Sequence, residues 1–331
     1  MAPIMERSKL IKCIKSDEYS FEEKAILLYN FQYTYNDIYK QFVDLLRGRS
    51  FTPSSIPDIP FLPIELFKHR DIKTGQWNSD QVFLSSGTTI GRRSEHWVRD
   101  LNFYQENTVD LWEEQFAPLN ELEVISLLPN YHENPNSSLI TMVHHFMEYS
   151  KMKRTAFFKD DYQSLYNKIE CLKKDGQKSL FFGVSFALLD YGERYEHANL
   201  ENLTIVETGG MKKFAKELTR TQLHDRLKKI FDGATILSEY GMTECLSQMY
   251  CSNSRTFADN SMMRIVITDP SDYKIIYSTG KRGRVNIVDL ANVDTIGFIA
   301  TDDLGLQVNT HETEILGRLD HSDLRGCNYL I

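Results

Sequence analysis

The sequence predicts an α/β fold with a smaller β-rich portion, and three patterns support this prediction. Two short apolar runs, Leu203–Glu207 and Ala234–Leu237, flank a charged amphipathic stretch from Lys212 to Asp232. A strand–helix–strand crossover of this kind joins parallel strands and covers them with a helix. From Arg264 onward short alternating runs dominate, which is typical of half-buried strands.

The remaining elements are predicted from apolar spacing and from proline. Apolar residues recur at helical spacing in two stretches, and short continuous apolar runs indicate buried strands. The prolines between Pro53 and Pro63 exclude a continuous helix there. We therefore expect helices over Phe21–Leu46 and Asp100–Phe116, and strands over Gln81–Leu84, Glu123–Leu128 and Ser179–Leu189. The expected domains are a helical segment 1–60, an α/β core 61–262 and a β-rich portion 263–331.

Composition excludes several classes of protein. The chain has 331 residues and a formal net charge of −8, so it lacks the excess of Lys and Arg that non-specific nucleic-acid binding needs. No apolar run is long enough to span a membrane, and charged residues break the first sixteen positions. The five cysteines are odd in number and form no CxxC pair, so neither a disulfide framework nor a zinc site is predicted. We expect a cytoplasmic protein with reduced thiols.

The loop from Ser85 to Arg92 has the composition of an anion-binding loop. It combines four hydroxyl groups with two glycines and is followed by a second arginine, Arg93. Small residues let backbone N–H groups close around phosphate oxygens, and hydroxyls add donors. The spacing does not fit a P-loop of the Walker A type. An ordinary surface loop has a similar composition, so both interpretations stay open on this evidence alone.

Three later segments also carry polar groups beside predicted strands. The segment Tyr240–Glu244 offers an aromatic ring, a hydroxyl and a carboxylate that is a suitable ligand for Mg²⁺. The segment Thr301–Gly305 directly follows a predicted strand, and its carboxylates are suited to ribose hydroxyls or to capping a turn. Gly317–Asp320 adds a guanidinium beside a turn. Each segment alone is ambiguous.

Taken in order, these segments resemble the motifs of the adenylate-forming superfamily. Ser85–Gly91 resembles its (S/T)SGTTG phosphate loop, with Ile90 as a departure, and Tyr240–Glu244 matches YGxTE. Thr301–Gly305 resembles TGDLG with Asp302 in place of glycine, and Gly317–Asp320 matches GRxD. Glu207–Met211 falls where the superfamily has the loop that packs on adenine.

The resemblance implies ATP and Mg²⁺ as cofactors and a set of site residues. Thr243 is implied at the α-phosphate, Glu244 at Mg²⁺ and Asp303 at the ribose. The remaining nucleotide-binding positions are Ser85, Ser86, Gly87, Thr88, Thr89, Gly91, Glu207, Thr208, Gly209, Gly210, Tyr240, Gly241 and Arg318.

Within the superfamily the chain is most similar to the acyl-protein synthetase of the fatty-acid reductase complex in luminous bacteria. Pro63–Lys68, Glu207–Lys212 and Arg325–Asn328 carry this similarity. Eleven residues follow Asp320, too few for the usual carboxyl-terminal domain and its catalytic lysine, so we expect that domain to be lacking. Lys68, Arg92 and Lys212 are unranked candidates for the assisting cation.

The narrower resemblance implies a second acyl-transfer step. The acyl group is expected to pass from AMP to Cys327 and then to a protein partner, such as a reductase or a carrier protein. Gly326 and Arg325 precede this cysteine, and a mobile, cationic setting favours the reactive thiolate. A small buried side chain without chemistry is the alternative, and Cys245, next to YGxTE, is a rival nucleophile.

The expected function is therefore ATP-dependent activation of a carboxylic acid, with a fatty acid as the expected substrate, followed by acyl transfer. One alternative is an acyl- or aryl-CoA ligase resembling phenylacetate–CoA ligase. The other is a degenerate member kept as a nucleotide-binding scaffold, to which the substitutions at Ile90 and Asp302 point. The identity of the acid, the final acceptor and the oligomeric state stay open.

Overall fold

A computed structural model describes residues 6–86, 92–129, 132–152, 155–209, 218–272, 275–277 and 279–319. Within these residues the α-helices are α1 (Arg7–Lys15), α2 (Phe21–Tyr35), α3 (Asp37–Arg47), α4 (Leu101–Glu113), α5 (Ser138–Tyr149), α6 (Tyr162–Asp175), α7 (Ser185–Gly192) and α8 (Arg220–Ile230). Short 3₁₀ helices cover Ile56–Asp58, Ile64–Lys68 and Leu119–Glu121. The strands are β1 (Leu62–Pro63), β2 (Gln81–Leu84), β3 (Glu95–Val98), β4 (Glu123–Leu127), β5 (Ala156–Phe157), β6 (Ser179–Val184), β7 (Leu203–Thr208), β8 (Thr235–Tyr240), β9 (Met249–Cys251), β10 (Thr256–Ala258), β11 (Met263–Thr268), β12 (Arg282–Asp289), β13 (Phe298–Asn309) and β14 (Glu312–Arg318).

The described residues group by mutual contact into two units. Unit 1 takes its residues from Met1–Tyr104, Thr243–Ser247 and Phe257–Ile331, and unit 2 from Gln105–Met242 and Gln248–Thr256. Each unit combines several separate segments of the sequence. The predicted division into the domains 1–60, 61–262 and 263–331 therefore stays a prediction. None of the helices in the described residues is long and apolar enough to cross a membrane.

Unit 2 contains a mainly parallel sheet with strand order β5-β4-β6-β7-β8-β9. The predicted crossover is confirmed: β7 and β8 pair in parallel, with Val206 opposite Leu237 and Thr208 opposite Glu239. The connecting helix α8 begins with a capping box formed by Thr219 and Gln222, which satisfies backbone donors of its first turn. Since parallel neighbours end at the same edge, the ends of β7 and β8 lie side by side.

The core of unit 2 explains why these segments take their observed forms. Ile205 and Ile236 of the sheet and Leu227 of α8 belong to one buried cluster, so the apolar stripe of α8 covers the parallel strands. One predicted strand is wrong in its second half. The run Ser179–Leu189 forms β6 only to Val184, and α7 begins at Ser185, because a continuous apolar run fits a buried strand or a buried helix equally well.

Unit 1 contains an antiparallel sheet with the order β10-β14-β13-β12-β11, and β1 pairs in parallel with β13. The same unit holds the β2–β3 hairpin and the first three helices. This sheet confirms the β-rich portion predicted from Arg264 onward. The predicted helix over Phe21–Leu46 is divided at Asn36, whose side chain accepts a hydrogen bond from the Tyr39 N–H at 3.0 Å and thereby caps α3.

The segment Thr301–Gly305 was predicted to follow a strand directly, and this prediction is wrong. It lies inside β13, a strand of 12 residues paired with both β12 and β14. The register shifts between Leu304 and Gly305, so a bulge re-aims the side chains at this point. The long-range pairing of β13 outweighs the turn preference of adjacent aspartates.

Candidate nucleotide and acid site

Glu244 is the buried centre of the candidate site in unit 1. Its residue is only 5% exposed, and burial raises the pKa of its carboxyl group. A hydrogen bond from the Ser94 side chain and the positive charges of Arg318 and Lys68 act in the opposite direction and lower that pKa. Residues from four distant parts of the sequence thus meet at one carboxylate. The hydrogen bond and the two positive charges offset part of the cost of burying an ionised carboxyl group.

The backbone around Glu244 is held by buried polar side chains. The carbonyl oxygen of Thr243 lies 2.7 Å from His96 Nδ1, and the carbonyl oxygen of Glu244 accepts a hydrogen bond of 2.8 Å from Asn292 Nδ2. Because a carbonyl only accepts, His96 Nδ1 carries the proton. Burial lowers the pKa of His96 to about 4, so the ring is neutral at pH 7.

The residues after Glu244 are held by Asp289, at the end of β12. Its carboxylate accepts hydrogen bonds from the Leu246 N–H at 2.7 Å and from the Ser247 hydroxyl at 2.6 Å. Burial raises the pKa of Asp289, while these donors act to lower it. The path of the chain from Thr243 to Ser247 is therefore fixed by β3, by β12 and by the loop that follows β12.

Asp303 and Arg318 form a second polar pair in unit 1. They are cross-strand partners of β13 and β14, and Arg318 Nε lies 3.6 Å from Asp303 Oδ1. The Asp303 side chain is 15% exposed and that of Arg318 is 68% exposed. Arg318 also acts on Glu244. The structure therefore brings the predicted residues Glu244, Asp303 and Arg318 into one neighbourhood, together with the candidate cation Lys68.

The ends of the predicted phosphate loop are joined by a serine pair. The Ser85 hydroxyl accepts a hydrogen bond from the Ser94 N–H at 2.9 Å, and the Ser85 N–H donates to the Ser94 carbonyl at 3.1 Å. Ser94 in turn contacts Glu244 through its side chain, so the base of this loop lies beside the buried carboxylate. Ser86 is exposed.

Unit 2 holds the other predicted residues at the ends of β7 and β8. The Glu207 carboxylate accepts hydrogen bonds from the hydroxyls of Ser185, at 2.5 Å, and Ser238. The Thr208 hydroxyl donates to Glu239. Burial, together with the negative charge of Glu207, raises the pKa of Glu239 to about 7. This strand edge is therefore a hydroxyl–carboxyl network rather than a cationic surface.

Glycine at position 241 allows a close approach of the Glu239 carboxyl group. A Cβ atom placed there would lie 2.3 Å from Glu239 Oε1, so any larger residue would displace that carboxyl group. Tyr240 is 9% exposed. The boundary between the units falls within the YGxTE motif, since Tyr240 and Gly241 belong to unit 2, and Thr243 and Glu244 to unit 1.

Several predicted site residues lie outside the described residues. They are Gly87, Thr88, Thr89, Gly91, Gly210, the candidate cation Lys212 and the proposed acyl acceptor Cys327. Gly209 is the last described residue of its segment and has φ +82°, a conformation that glycine adopts without strain. The rival nucleophile Cys245 is 3% exposed, which leaves its sulfur little access to a substrate.

Sequence reasoning missed the residues that hold the site together, namely His96, Asn292 and Asp289. Their partners lie far along the chain, 147 residues away for the His96 contact with Thr243. Their side-chain types follow no recognisable spacing. A signal existed only for Ser94, which ends the stretch of hydroxyls and arginines that begins at Ser85.

Comparisons with known proteins support the fold of these units. The sequence model of a family described as acyl-protein synthetase, LuxE, matches residues 13–331. No curated protein sequence matches the chain significantly.

Solved structures of adenylate-forming enzymes have a similar fold. ATP-bound MatB from Rhodopseudomonas palustris aligns with a TM-score of 0.53 at 16% identity, over 72% of this chain and 47% of that one. The O-succinylbenzoate coenzyme A synthetase MenE from Bacillus subtilis, in complex with ATP and magnesium ion, aligns with a TM-score of 0.52 at 16% identity. The alignment covers 72% of this chain and 49% of that one. The adenylation domain of a keto acid-selecting NRPS module, bound to keto acyl adenylate, aligns with a TM-score of 0.50 at 15% identity. The alignment covers 74% of this chain and 53% of that one. The chain thus spans about half the length of these proteins and has the fold of their adenylate-forming domain.

Proposed function

Since the chain belongs to the acyl-protein synthetase family, we propose that it uses ATP to activate a carboxylic acid as an acyl adenylate and then transfers the acyl group to a protein thiol. A fatty acid is the proposed substrate. The reaction makes it an AMP-forming ligase. The formation of an acyl adenylate is supported by the similar solved structures, of which one contains ATP and another an acyl adenylate.

The observation that carries the proposal is the environment of Glu244. A buried carboxylate, a serine from the base of the candidate phosphate loop and two cations act on one another in unit 1. Mg²⁺ prefers carboxylate and phosphate oxygens and retains several waters, and Glu244 fits it as a single carboxylate ligand. When bound, Mg²⁺ would neutralise charge on the phosphates.

The chain's own residues would bind and orient the two substrates. We propose that Asp303 accepts hydrogen bonds from the ribose and that Thr243 donates to the α-phosphate. Arg318 would stabilise negative charge near both. An oxygen of the substrate carboxylate attacks the α-phosphorus, the bond to the β-phosphate oxygen breaks, and pyrophosphate leaves. Catalysis then consists mainly of positioning and electrostatic stabilisation.

We propose Cys327 as the acceptor in the second step. Its thiolate attacks the acyl carbonyl, the carbon–oxygen bond to AMP breaks, and the thioester keeps the acyl group activated while AMP leaves. A reductase or a carrier protein would then receive the acyl group. The cytoplasm is the proposed location, since the cysteine spacing suits reduced thiols.

The test is ATP–pyrophosphate exchange with fatty and aryl acids, followed by intact mass of the protein. The proposal predicts exchange with fatty acids and a mass increase equal to one acyl group. Cys327→Ser should retain exchange and lose the stable adduct, because an ester forms poorly from a serine hydroxyl. Cys245→Ser is the matched control and should keep the adduct.

Two results would contradict the proposal. Free acyl-CoA released in the presence of coenzyme A, with no adduct on the protein, would favour a CoA ligase. Nucleotide binding without exchange for any acid would favour a scaffold.

A further inference from the structure

We infer that His96, Asn292 and Thr295 form a buried clamp that positions Thr243 and Glu244 for the proposed reaction, and that the amino-terminal helices support this clamp. His96 is a positioning residue and touches no substrate. The inference rests on the proposed roles of Thr243 and Glu244. It gives a function to the first sixty residues, in which the sequence shows no motif.

The inner layer of the clamp contacts two consecutive carbonyl groups. His96 Nδ1 binds the Thr243 carbonyl at 2.7 Å, and Asn292 Nδ2 binds the Glu244 carbonyl at 2.8 Å. The Thr295 hydroxyl links the two side chains: it lies 3.0 Å from His96 Nε2, which carries no proton, and it donates to Asn292 Oδ1. The peptide groups on both sides of Glu244 are thus held by the same network.

The outer layer connects this network to helix α2. Gln32 donates to the Asn292 carbonyl at 2.8 Å and accepts from the Gly297 N–H at 3.0 Å. Asn36, at the end of α2, donates to the Thr295 carbonyl at 3.1 Å. The loop between β12 and β13 is therefore held on one side by α2, while its Asn292 side chain holds the Glu244 carbonyl on the other.

Helix α1 fixes the same loop by an ion pair. Arg7 approaches Asp294 with Nε at 2.7 Å from Oδ1 and with Nη2 at 2.6 Å from Oδ2, and Arg99 lies 3.3 Å from the same carboxylate. Paired contacts between guanidinium and carboxylate fix orientation as well as distance. The loop is thus anchored at Asn292, Asp294 and Thr295.

The clamp is buried to a degree that makes one geometry strongly preferred. His96, Asn292 and Gln32 are fully buried, and Thr295 is 1% exposed. A buried polar group without its partner is costly, so a network of this kind is stable only when every member is satisfied. Any shift of the Thr243–Glu244 peptide would break at least one of these hydrogen bonds.

The experiment compares His96→Leu with His96→Asn in the full chain. Leucine removes the hydrogen bond to the Thr243 carbonyl, whereas an asparagine amide can replace the Nδ1 donor. We expect His96→Leu to lower kcat for pyrophosphate exchange about 10- to 100-fold, with KM for ATP changed less than about threefold, since small misplacements of reacting groups reduce rates by such factors. His96→Asn should restore most of the rate.

A matched control separates positioning from stability. Tyr39 is fully buried in the same unit, and its hydroxyl donates to the Pro60 carbonyl at 2.8 Å. Tyr39→Phe loses one buried hydrogen bond that involves no clamp residue and should lower the Tm while leaving kcat unchanged. Should His96→Leu not fold, Thr295→Val removes only the hydroxyl beside Nε2 and should lower kcat about 3- to 10-fold.

Hydrogen exchange of peptides spanning residues 243–247 provides a readout independent of activity. We expect faster exchange there in His96→Leu and Thr295→Val than in Tyr39→Phe. Wild-type kcat and unchanged protection of this segment in both clamp variants would overturn the inference. If no acid supports exchange in the wild-type enzyme, while protection still falls in the variants, the proposed function fails and the clamp stands.

Discussion

The buried Glu244 in unit 1 and the partly buried Glu239 in unit 2 show how differently the two units treat a carboxyl group. Burial raises the pKa of both. Around Glu244 a serine hydroxyl, Arg318 and Lys68 act to lower the pKa again. Around Glu239 the Thr208 hydroxyl lowers it, but the nearby charge is that of Glu207, which raises it further.

The difference separates a binding group from a packing group. Opposite charges favour the ionised form of Glu244, which a metal ion requires. A neighbouring like charge favours the neutral form of Glu239, so that its pKa lies at about 7. We therefore propose the chemistry for Glu244 and a structural role for Glu239, although both belong to strand-end segments rich in polar residues.

The largest expected effect comes from Glu244→Gln. The amide keeps the size of the side chain and removes the negative charge, so pyrophosphate exchange should fall by about 10² to 10³, as for other single groups that stabilise charge. Raising the Mg²⁺ concentration should restore part of the rate. Initial rates over a Mg²⁺ titration provide the measurement, with Glu239→Gln as the matched control. Equal losses in both variants would contradict the contrast between the two glutamates.

The next effect concerns stability and pH. In the unfolded chain Glu239 titrates at its ordinary pKa, whereas in the native chain the pKa is about 7. Between these values the native state binds more protons, so the free energy of unfolding of the wild type falls as pH rises through this window. Glu239→Gln removes this titration.

Urea unfolding between about pH 4.5 and 8 would measure the effect. Across this pH window the free energy of unfolding of the wild type should fall by up to about 3 kcal/mol relative to that of Glu239→Gln, since one pKa unit corresponds to about 1.4 kcal/mol. Parallel pH profiles for the two proteins would show that the carboxyl group is not perturbed in this way.

The smallest expected effect is that of Asp303→Asn. If Asp303 accepts ribose hydrogen bonds, the neutral amide should raise KM for ATP about 10-fold, since a hydrogen bond to a charged group contributes about 1.5–3 kcal/mol. The kcat should change less. Steady-state exchange kinetics over a range of ATP concentrations provide the measurement. An unchanged KM would remove the ribose role from Asp303.

Local pattern predicted those parts of the fold that depend on neighbouring residues. The crossover from Leu203 to Tyr240 was predicted because each element shows its own periodicity and its own end signals. The predicted end of β13, before Thr301, was wrong. The strand continues through the adjacent aspartates because it pairs with strands on both sides. The helix break at Asn36 was missed because helical apolar spacing continues across it.

The candidate site divides in the same way. Glu244, Asp303 and Arg318 were named from motifs, and the structure brings them into one neighbourhood. His96 was not named, because its contacts with Thr243 and Asn292 span 147 and 196 residues of sequence. Contacts of this range are set by the whole fold, and no pattern in a single sequence encodes them.

The most direct test of the central claim follows the oxygen atoms of the acid. The enzyme would be incubated with ATP, Mg²⁺ and a fatty acid labelled with ¹⁸O at both carboxyl oxygens, and the AMP released after acyl transfer would be analysed by mass spectrometry. Attack of the carboxylate on the α-phosphorus predicts one ¹⁸O atom in each AMP formed. Unlabelled AMP, or label in inorganic phosphate, would show that no acyl adenylate forms.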